Sequence, residues 1–240
     1  MRIILFLIVL FLFFDFMAIA QKSSPIVTDR PDQSDGAYVL PKKLLQLENG
    51  LLFNEVGVIN NFMLRYGWSR NSEIRVALDY GKITGQFSLL PVQLSIKQKL
   101  VRQLGIVPTI TLIGYLNFGQ LASKYVINNG TQAALLLAFH HEIDENLGIE
   151  CNFGSQTFKD DLRFTFLLSY KLIENVTAFI EYYSLFDKVS DPGHNMDIGI
   201  LFTINNDFHL DLGYGIESIN ENKSHFLTVG ASHRFNTAKK

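Results

Sequence analysis

Along most of the chain, apolar and polar side chains alternate one by one. In residues 61–69, Phe62, Leu64, Tyr66 and Trp68 fall on one face and Met63, Arg65, Gly67 and Ser69 on the other, which is the period of a β-strand. The next segment repeats the rule, with Ile74, Val76, Leu78 and Tyr80 alternating with Glu73, Arg75, Ala77 and Asp79. Further on, Leu147, Ile149, Cys151 and Phe153 oppose Gly148, Glu150 and Asn152, and Phe208, Leu210, Leu212, Tyr214 and Ile216 oppose His209, Asp211, Gly213, Gly215 and Glu217. One face is apolar; the other carries the charges.

Alternation alone does not say which face meets water, because a soluble sandwich alternates too. Strand length and loop rhythm arbitrate. The pattern predicts twelve strands, near 44–53, 61–69, 73–80, 86–98, 106–117, 131–141, 146–154, 161–171, 175–186, 195–204, 207–217 and 224–235. Most approach the ~9–11 residues with which a tilted strand crosses a bilayer, against ~5–6 in soluble sheets. Tight polar turns at Arg70-Asn71-Ser72, Asp144-Glu145-Asn146, Glu174-Asn175 and Asn205-Asn206-Asp207 alternate with longer connections such as 118–130 and 187–194. That rhythm predicts an all-β fold: a twelve-stranded antiparallel up-and-down transmembrane β-barrel with short periplasmic turns.

The N-terminus assigns the compartment. Arg2 precedes an apolar run over residues 3–14 and then Ala18-Ile19-Ala20, a charged, apolar and small-residue order that reads as a cleaved secretory signal over 1–20. The run is too short for a spanning helix, which needs ~20 apolar residues. The expected organisation is therefore a signal peptide (1–20), a periplasmic N-terminal segment (21–43), an outer-membrane barrel (44–235) and a tail (236–240). A hydrophobic content of 48% suits strands that face lipid, and a net charge of −2 offers no footprint for nucleic acid. The lone Cys151 excludes an intramolecular disulfide framework.

The last predicted strand, LTVGASHRF, places Leu227, Val229, Ala231, His233 and Phe235 on one face. It resembles the terminal signal read by the barrel assembly machinery, with NTAKK following it. The stretch Ile26-Val27-Thr28-Asp29-Arg30-Pro31, together with VLPKKLLQLENGL and FMLRYGWSRNSEIRVALDY, resembles the outer-membrane barrels grouped as transporters named for the MetA pathway of phenol degradation. The resemblance covers most of the mature chain and is most specific in its N-terminal third. Where relatives carry a Gly-Asp-rich strand with Lys-Tyr, this chain has GQFSLLPVQLSIKQKL. The resemblance implies passage of small, aromatic or hydrophobic molecules and implies no catalytic residues, cofactor or metal. The expected partners are outer-membrane lipid, the assembly machinery and a small-molecule solute.

If the apolar face meets lipid, Glu48, Arg65, Glu73, Arg75, Asp79, Lys97, Glu150, Arg163, Lys171, Glu181, Asp197, Asp211 and Arg234 project into the lumen. Two readings stand: a polar path whose selectivity they tune, or a lumen filled by mutual salt bridges. Twelve strands fall between the ~8 of a filled barrel and the ~16 of an open porin. The motif Thr28, Asp29, Arg30 and Pro31 also has two readings. It folds into the periplasmic mouth, where Asp29 and Arg30 would pair with Arg65, Glu73 and Arg75, or it is a solvated leader.

Other chemistries have weaker warrants. A calcium loop would need an Asp-x-Asp-x-Asp-Gly pattern that TDRPDQSD lacks. His140 and His141 in "HHE" are adjacent on a strand and point to opposite faces, which argues against a shared metal site. An outer-membrane phospholipase would need a Ser–His pair on the outer rim; His194, Ser224 and His225 fall there without its motifs. A closed barrel with a structural or surface-interaction role is the main alternative to a channel. Tyr66, Trp68, Tyr80, Tyr115, Tyr170, Tyr182 and Tyr214 are assigned outward, toward interfacial girdles. Phe179 and Tyr183 have lumen parity and are the candidates for contact with an aromatic solute.

Overall fold

The computed structural model describes residues 25–126, 130–155, 161–186, 192–219 and 222–237. The predicted signal peptide lies outside these residues, as do parts of the predicted long connections. Among the described residues there are thirteen strands. They are β1 (Leu44–Asn54), β2 (Gly57–Gly67), β3 (Ser72–Ile83), β4 (Gln86–Leu89), β5 (Val92–Val101), β6 (Thr109–Phe118), β7 (Thr131–Glu142), β8 (Leu147–Ser155), β9 (Leu162–Ile173), β10 (Val176–Phe186), β11 (Asn195–Asn205), β12 (Phe208–Ile219) and β13 (Asn222–Asn236). Neighbouring strands pair antiparallel, and β13 returns to β1 in register from Leu44↔Asn236 to Asn54↔Phe226, which closes the barrel.

The barrel has twelve staves, because β4 and β5 together make one. The sequence pattern had predicted a single strand over 86–98. Instead β3 pairs with β4 through Tyr80↔Leu89 to Ile83↔Gln86 and with β5 through Ser72↔Gln98 to Ala77↔Gln93. Pro91, between the two, has no N–H to give to a ladder. The free edge of β4 is covered by the loop after β6, where Ser123 N–H donates to Leu89 O at 2.9 Å and Ser123 Oγ accepts from Leu89 N–H at 2.9 Å.

The two ends of the barrel differ largely as the loop rhythm had implied, with exceptions at both ends. The end that holds Leu44 and Asn236, here the near end, carries most of the tight turns, but its 102–108 connection is longer. There Leu104 and Val107 exchange backbone hydrogen bonds of 3.1 Å across a turn, so β6 starts at Thr109 rather than at 106. At the far end, β1–β2 and β3–β4 are joined by the two-residue turns Glu55-Val56 and Thr84-Gly85. Asn54 Oδ1 fixes the first by accepting from the N–H groups of Val56 and Gly57, both at 3.1 Å.

The distribution of side chains is the reverse of that in a soluble protein. Leu51, Phe53, Val76, Ile96, Phe166, Ile198, Leu212 and Val229 face outward and are exposed, whereas Glu48, Arg65, Glu73 and Lys97 point inward and are completely buried. An exposed apolar belt around a polar interior is the outer-membrane barrel arrangement, and it decides which face of the alternation meets lipid. One parity assignment fails. Tyr115 points inward and is buried, because β6 alternates Thr111, Ile113 and Tyr115 toward the lumen. Both faces of β6 are apolar, Ile110 and Leu112 outside and Ile113 inside, so its pattern carried no direction.

Candidate functional site

Residues 26–40 fold up into the lumen and return before β1 begins. The chain enters beside the near end, where Val27 O accepts from Gln46 Nε2 at 2.8 Å, and leaves there, where Leu40 N–H donates to the Glu73 carboxylate. Gly67 permits the exit: a Cβ there would stand 2.1 Å from Pro41 O and 2.4 Å from Leu40 O. Below its apex the segment is apolar. Ile26, Val39 and Leu40 are buried, and Ala37 packs with Ile113, Tyr115, Ala134, Leu136 and Ala138.

Its apex is a charged hub on Asp29. Asp29 Oδ2 lies 2.8 Å from Arg75 Nη1, 2.7 Å from Lys97 Nζ and 3.5 Å from Arg65 Nη1. Arg65 is shared with Glu48 at 2.8 Å and with Glu73 at 3.0 Å, and Arg75 Nη1 also donates to Asp35 Oδ1 at 2.8 Å. Arg163 stands 3.8 Å from Asp35 on the far wall. Four carboxylates thus meet four cations, a balance that buried charges require. Burial pushes the Asp29 carboxyl up, but Arg65, Lys97 and Arg75 outweigh it and hold it well below the usual carboxylate range. Burial likewise opposes Asp35, and Arg75, Arg163 and Lys97 bring it down. Asp32 goes the other way, raised by burial and by Glu181, Glu150 and Asp197.

The remaining bonds reach most of the way around the wall. Arg30 Nη2 donates to Asp211 Oδ1 at 3.2 Å and to Thr228 Oγ1 at 2.8 Å. Its guanidinium lies flat on Gly50 and Gly230, which are cross-strand partners; a Cβ would come within 2.0 Å of it at the first and 2.6 Å at the second. Gln33 N–H donates to Glu181 Oε2 at 2.7 Å, Asp35 N–H to Asn152 Oδ1 at 2.7 Å, and Thr111 Oγ1 to Ala37 O at 2.6 Å. Tyr115 donates its hydroxyl to Asp35 and lies under the Arg75 guanidinium at 5.4 Å.

On the far side of this apex is a cavity of about 480 Å³. Its floor is formed by residues 29–35, and its walls include Leu52, Met63, Ala77, Asp79, Gln93, Asn117, Gln132 and Arg163.

The sequence-predicted lumen residues fall into distinct places. Arg65, Glu73, Arg75, Lys97, Glu181 and Asp211 hold the inner segment, and Glu48 and Arg163 both hold it and line the cavity. Asp79 lines the cavity alone. Glu150 pairs with His140 Nδ1 at 3.1 Å, and Arg234 Nε donates to Asp207 Oδ1 at 2.8 Å in a near-end turn. Lys171 has lumen parity but is exposed at the near end of β9. Asp197 is buried beside its cross-strand partner Glu181. Phe179 packs over Gly199, and Tyr183 donates to Glu217 at 2.9 Å; neither borders the cavity. Within the motif, Thr28 Oγ1 donates to Arg30 O at 2.9 Å and Pro31 packs toward Gly213. Arg30 goes to Asp211 and not to Glu73, because Glu73 is occupied by Arg65 and Leu40. His194 and His225 each hydrogen-bond a tyrosine, Tyr182 and Tyr214, at 2.7 Å on the outer face.

Reading only the charges missed the neutral partners: Tyr115, Asn152, Gln46, the two socket glycines and the amides of Gln93, Asn117 and Gln132. Inward parity was the available signal for those outside β6; for Tyr115 and Asn117, on β6, the pattern gave none.

Three solved structures share the architecture at low identity. KdgM porin is 10% identical with a TM-score of 0.61, over 79% of this chain and 99% of that one. NanC porin is 11% identical at 0.60, over 79% and 98%. The COG4313 outer membrane channel from Pseudomonas putida F1 is 11% identical at 0.60, over 86% and 100%. At such identities the likeness is one of fold. No curated protein matches the chain in sequence. A family profile described as "Putative MetA-pathway of phenol degradation" matches residues 28–235, from the inner motif to the end of β13, and the chain therefore belongs to that family.

Proposed function

We propose that this protein is a passive outer-membrane channel for small molecules, held closed at rest by residues 26–40. The carrying observation is a polar lumen with a cavity of about 480 Å³ behind an ion-paired inner segment. A barrel with only a structural role needs no such cavity, and family membership favours transport of small aromatic or hydrophobic solutes. In the outer membrane the near end faces the periplasm, so the segment closes the periplasmic half and the cavity belongs to the outer half.

The sealed barrel is the second reading, favoured by the tight apolar packing of Ala37, Val39 and Leu40 in the near half. Single-channel recording in planar bilayers separates them, using the refolded chain and a variant lacking residues 25–36. Discrete steps that grow on deletion support the gated channel. Silence from both folded proteins overturns it and leaves the sealed barrel.

A further inference from the structure

The cations around the inner segment are all committed. Arg65 goes to Glu48 and Glu73, Arg75 to Asp29 and Asp35, Lys97 to Asp29, Arg163 to Asp35 and Arg30 to Asp211. Two carboxylates that line the cavity, Asp32 and Asp79, receive none of them. Asp79 shares a register row with Asn61, Gly50, Gly230 and Asp211. Arg30 lies across the two glycines of that row and gives its hydrogen bonds to Asp211 and Thr228, away from Asp79. The charges that Asp32 feels most, Glu181, Glu150, Asp197 and Asp29, are all carboxylates. Glu181 accepts from the Gln33 N–H and the Ser34 hydroxyl. Asp197, its cross-strand partner, is 3% exposed, and neither of its oxygens has a hydrogen-bond partner among the described residues. The cavity also has a shelf of amides, since Gln93, Asn117 and Gln132 are register partners across β5, β6 and β7 and all three line it.

We infer that this cavity is a binding subsite for small hydrophilic cations bearing an ammonium group, held by the Asp32 and Asp79 carboxylates and the carbonyl oxygens of the amide shelf. Surplus negative charge away from bulk water is costly until a counter-charge joins it, and a cleft lined by one sign of charge concentrates the opposite ion. Among the described residues no side chain supplies that counter-charge. The volume of about 480 Å³ exceeds what a bare ion fills and is within the ~300–1,000 Å³ of small-molecule sites. An ammonium group donates three hydrogen bonds and accepts none, which suits a lining of carboxylates and amide carbonyls. An anion would meet Asp32 and Asp79 with no uncommitted cation beside them. Burial and the neighbouring carboxylates raise Asp32, so it keeps a proton until a cation replaces it. The inference goes beyond the channel reading: a charged, water-soluble ligand is not the class that family membership favours, and its binding can be measured whether or not current flows.

The test is a titration of propylammonium and of propionate into the full chain in phosphatidylcholine nanodiscs at pH 7.5, read by saturation-transfer NMR, with protein-free nanodiscs as the blank. Saturable propylammonium binding is expected, and none of propionate. Asp32→Asn and Asp79→Asn should each weaken propylammonium about tenfold, as loss of a charge-assisted hydrogen bond does. Glu145→Gln, exposed in a near-end turn, leaves it unchanged. Because the cation displaces a proton from Asp32, binding should tighten as pH rises from 6.5 to 8.5. Neither aspartate carries an ion pair, so both Asn variants should fold, and heat-modifiable gel migration checks that they do. No saturable binding, equal binding of propionate, a flat pH profile, or unchanged binding in both folded Asn variants would overturn the subsite. Saturable binding in a barrel that passes no current would overturn the channel and leave the subsite standing.

Discussion

The two halves of the lumen are built from the same twelve staves and yet end differently. In the near half the buried charges of β1, β2, β3 and β5 converge on residues 26–40: Asp29 alone meets Arg75 at 2.8 Å and Lys97 at 2.7 Å, and Leu40 is fully buried. In the far half no described segment fills the lumen, and a cavity of about 480 Å³ remains. Strand alternation supplies an inward polar face in both places. The difference comes from a partner: where a chain segment brings complementary charges and apolar volume, the lumen closes, and where none arrives it stays hollow.

That comparison is broken most strongly at Asp29. Asp29→Ala leaves Arg65, Arg75 and Lys97 short of one counter-charge, and stranded buried charge costs about 3–5 kcal/mol. Urea unfolding of the refolded barrel, followed by Trp68 fluorescence, is expected to lose stability on that scale, with channel conductance rising as the near half comes to resemble the far half. Gly230→Val acts without touching charge. Its side chain would occupy the place of the Arg30 guanidinium, an overpacking of about 1–3 kcal/mol, and the 26–40 segment should become accessible to a protease that cuts before aspartate, at Asp29, Asp32 and Asp35. Resistance to that protease equal to that of the unsubstituted chain would show that the socket does not position the segment.

Tyr115→Phe removes one hydroxyl donated to Asp35 at the boundary between the halves. A loss of about 1 kcal/mol is expected in the same unfolding measurement. Gln132→Leu, in the far half, should change stability by less than about 0.5 kcal/mol, since its amide supports no part of the inner segment.

The smallest effect expected is that of mild acid. Asp29 and Asp35 have lowered pKa values in the folded state, so their stabilisation is present above the unfolded value of about 3.9 and is lost only as pH falls through their still lower folded values. Asp32 is raised, so protonating it relieves repulsion from Glu181, Glu150 and Asp197 as pH falls. Conductance should therefore be unchanged from pH 7.5 to pH 5; opening in that window would mean that a different group holds the segment.

Much of the wall was legible because alternation is local. The charged inward set, from Glu48 to Arg234, follows from parity within each strand. Pro91 also sits in plain view, and the break between β4 and β5 follows from its missing N–H. Parity failed at Tyr115, because β6 carries Ile113 on its inner face and Ile110 and Leu112 on its outer face. Apolar residues on both sides leave alternation without a sign, and the inner one packs in one buried cluster with Ala37 of the inner segment.

By itself the sequence determined that these residues form amphipathic strands of membrane-crossing length, and which side chains share a face, since both depend on neighbours within one strand. It also supplied the motif that joins the chain to its family. Only the tertiary structure decided that Asp29 would sit among Arg65, Arg75 and Lys97, that Arg30 would cross to Asp211 over Gly50 and Gly230, and that three amides from β5, β6 and β7 would form one shelf. Arg30 and Asp211 alone are 181 positions apart. Such groupings arise from barrel closure and register, which place distant staves around one axis and leave buried charges to find their counter-charges across it.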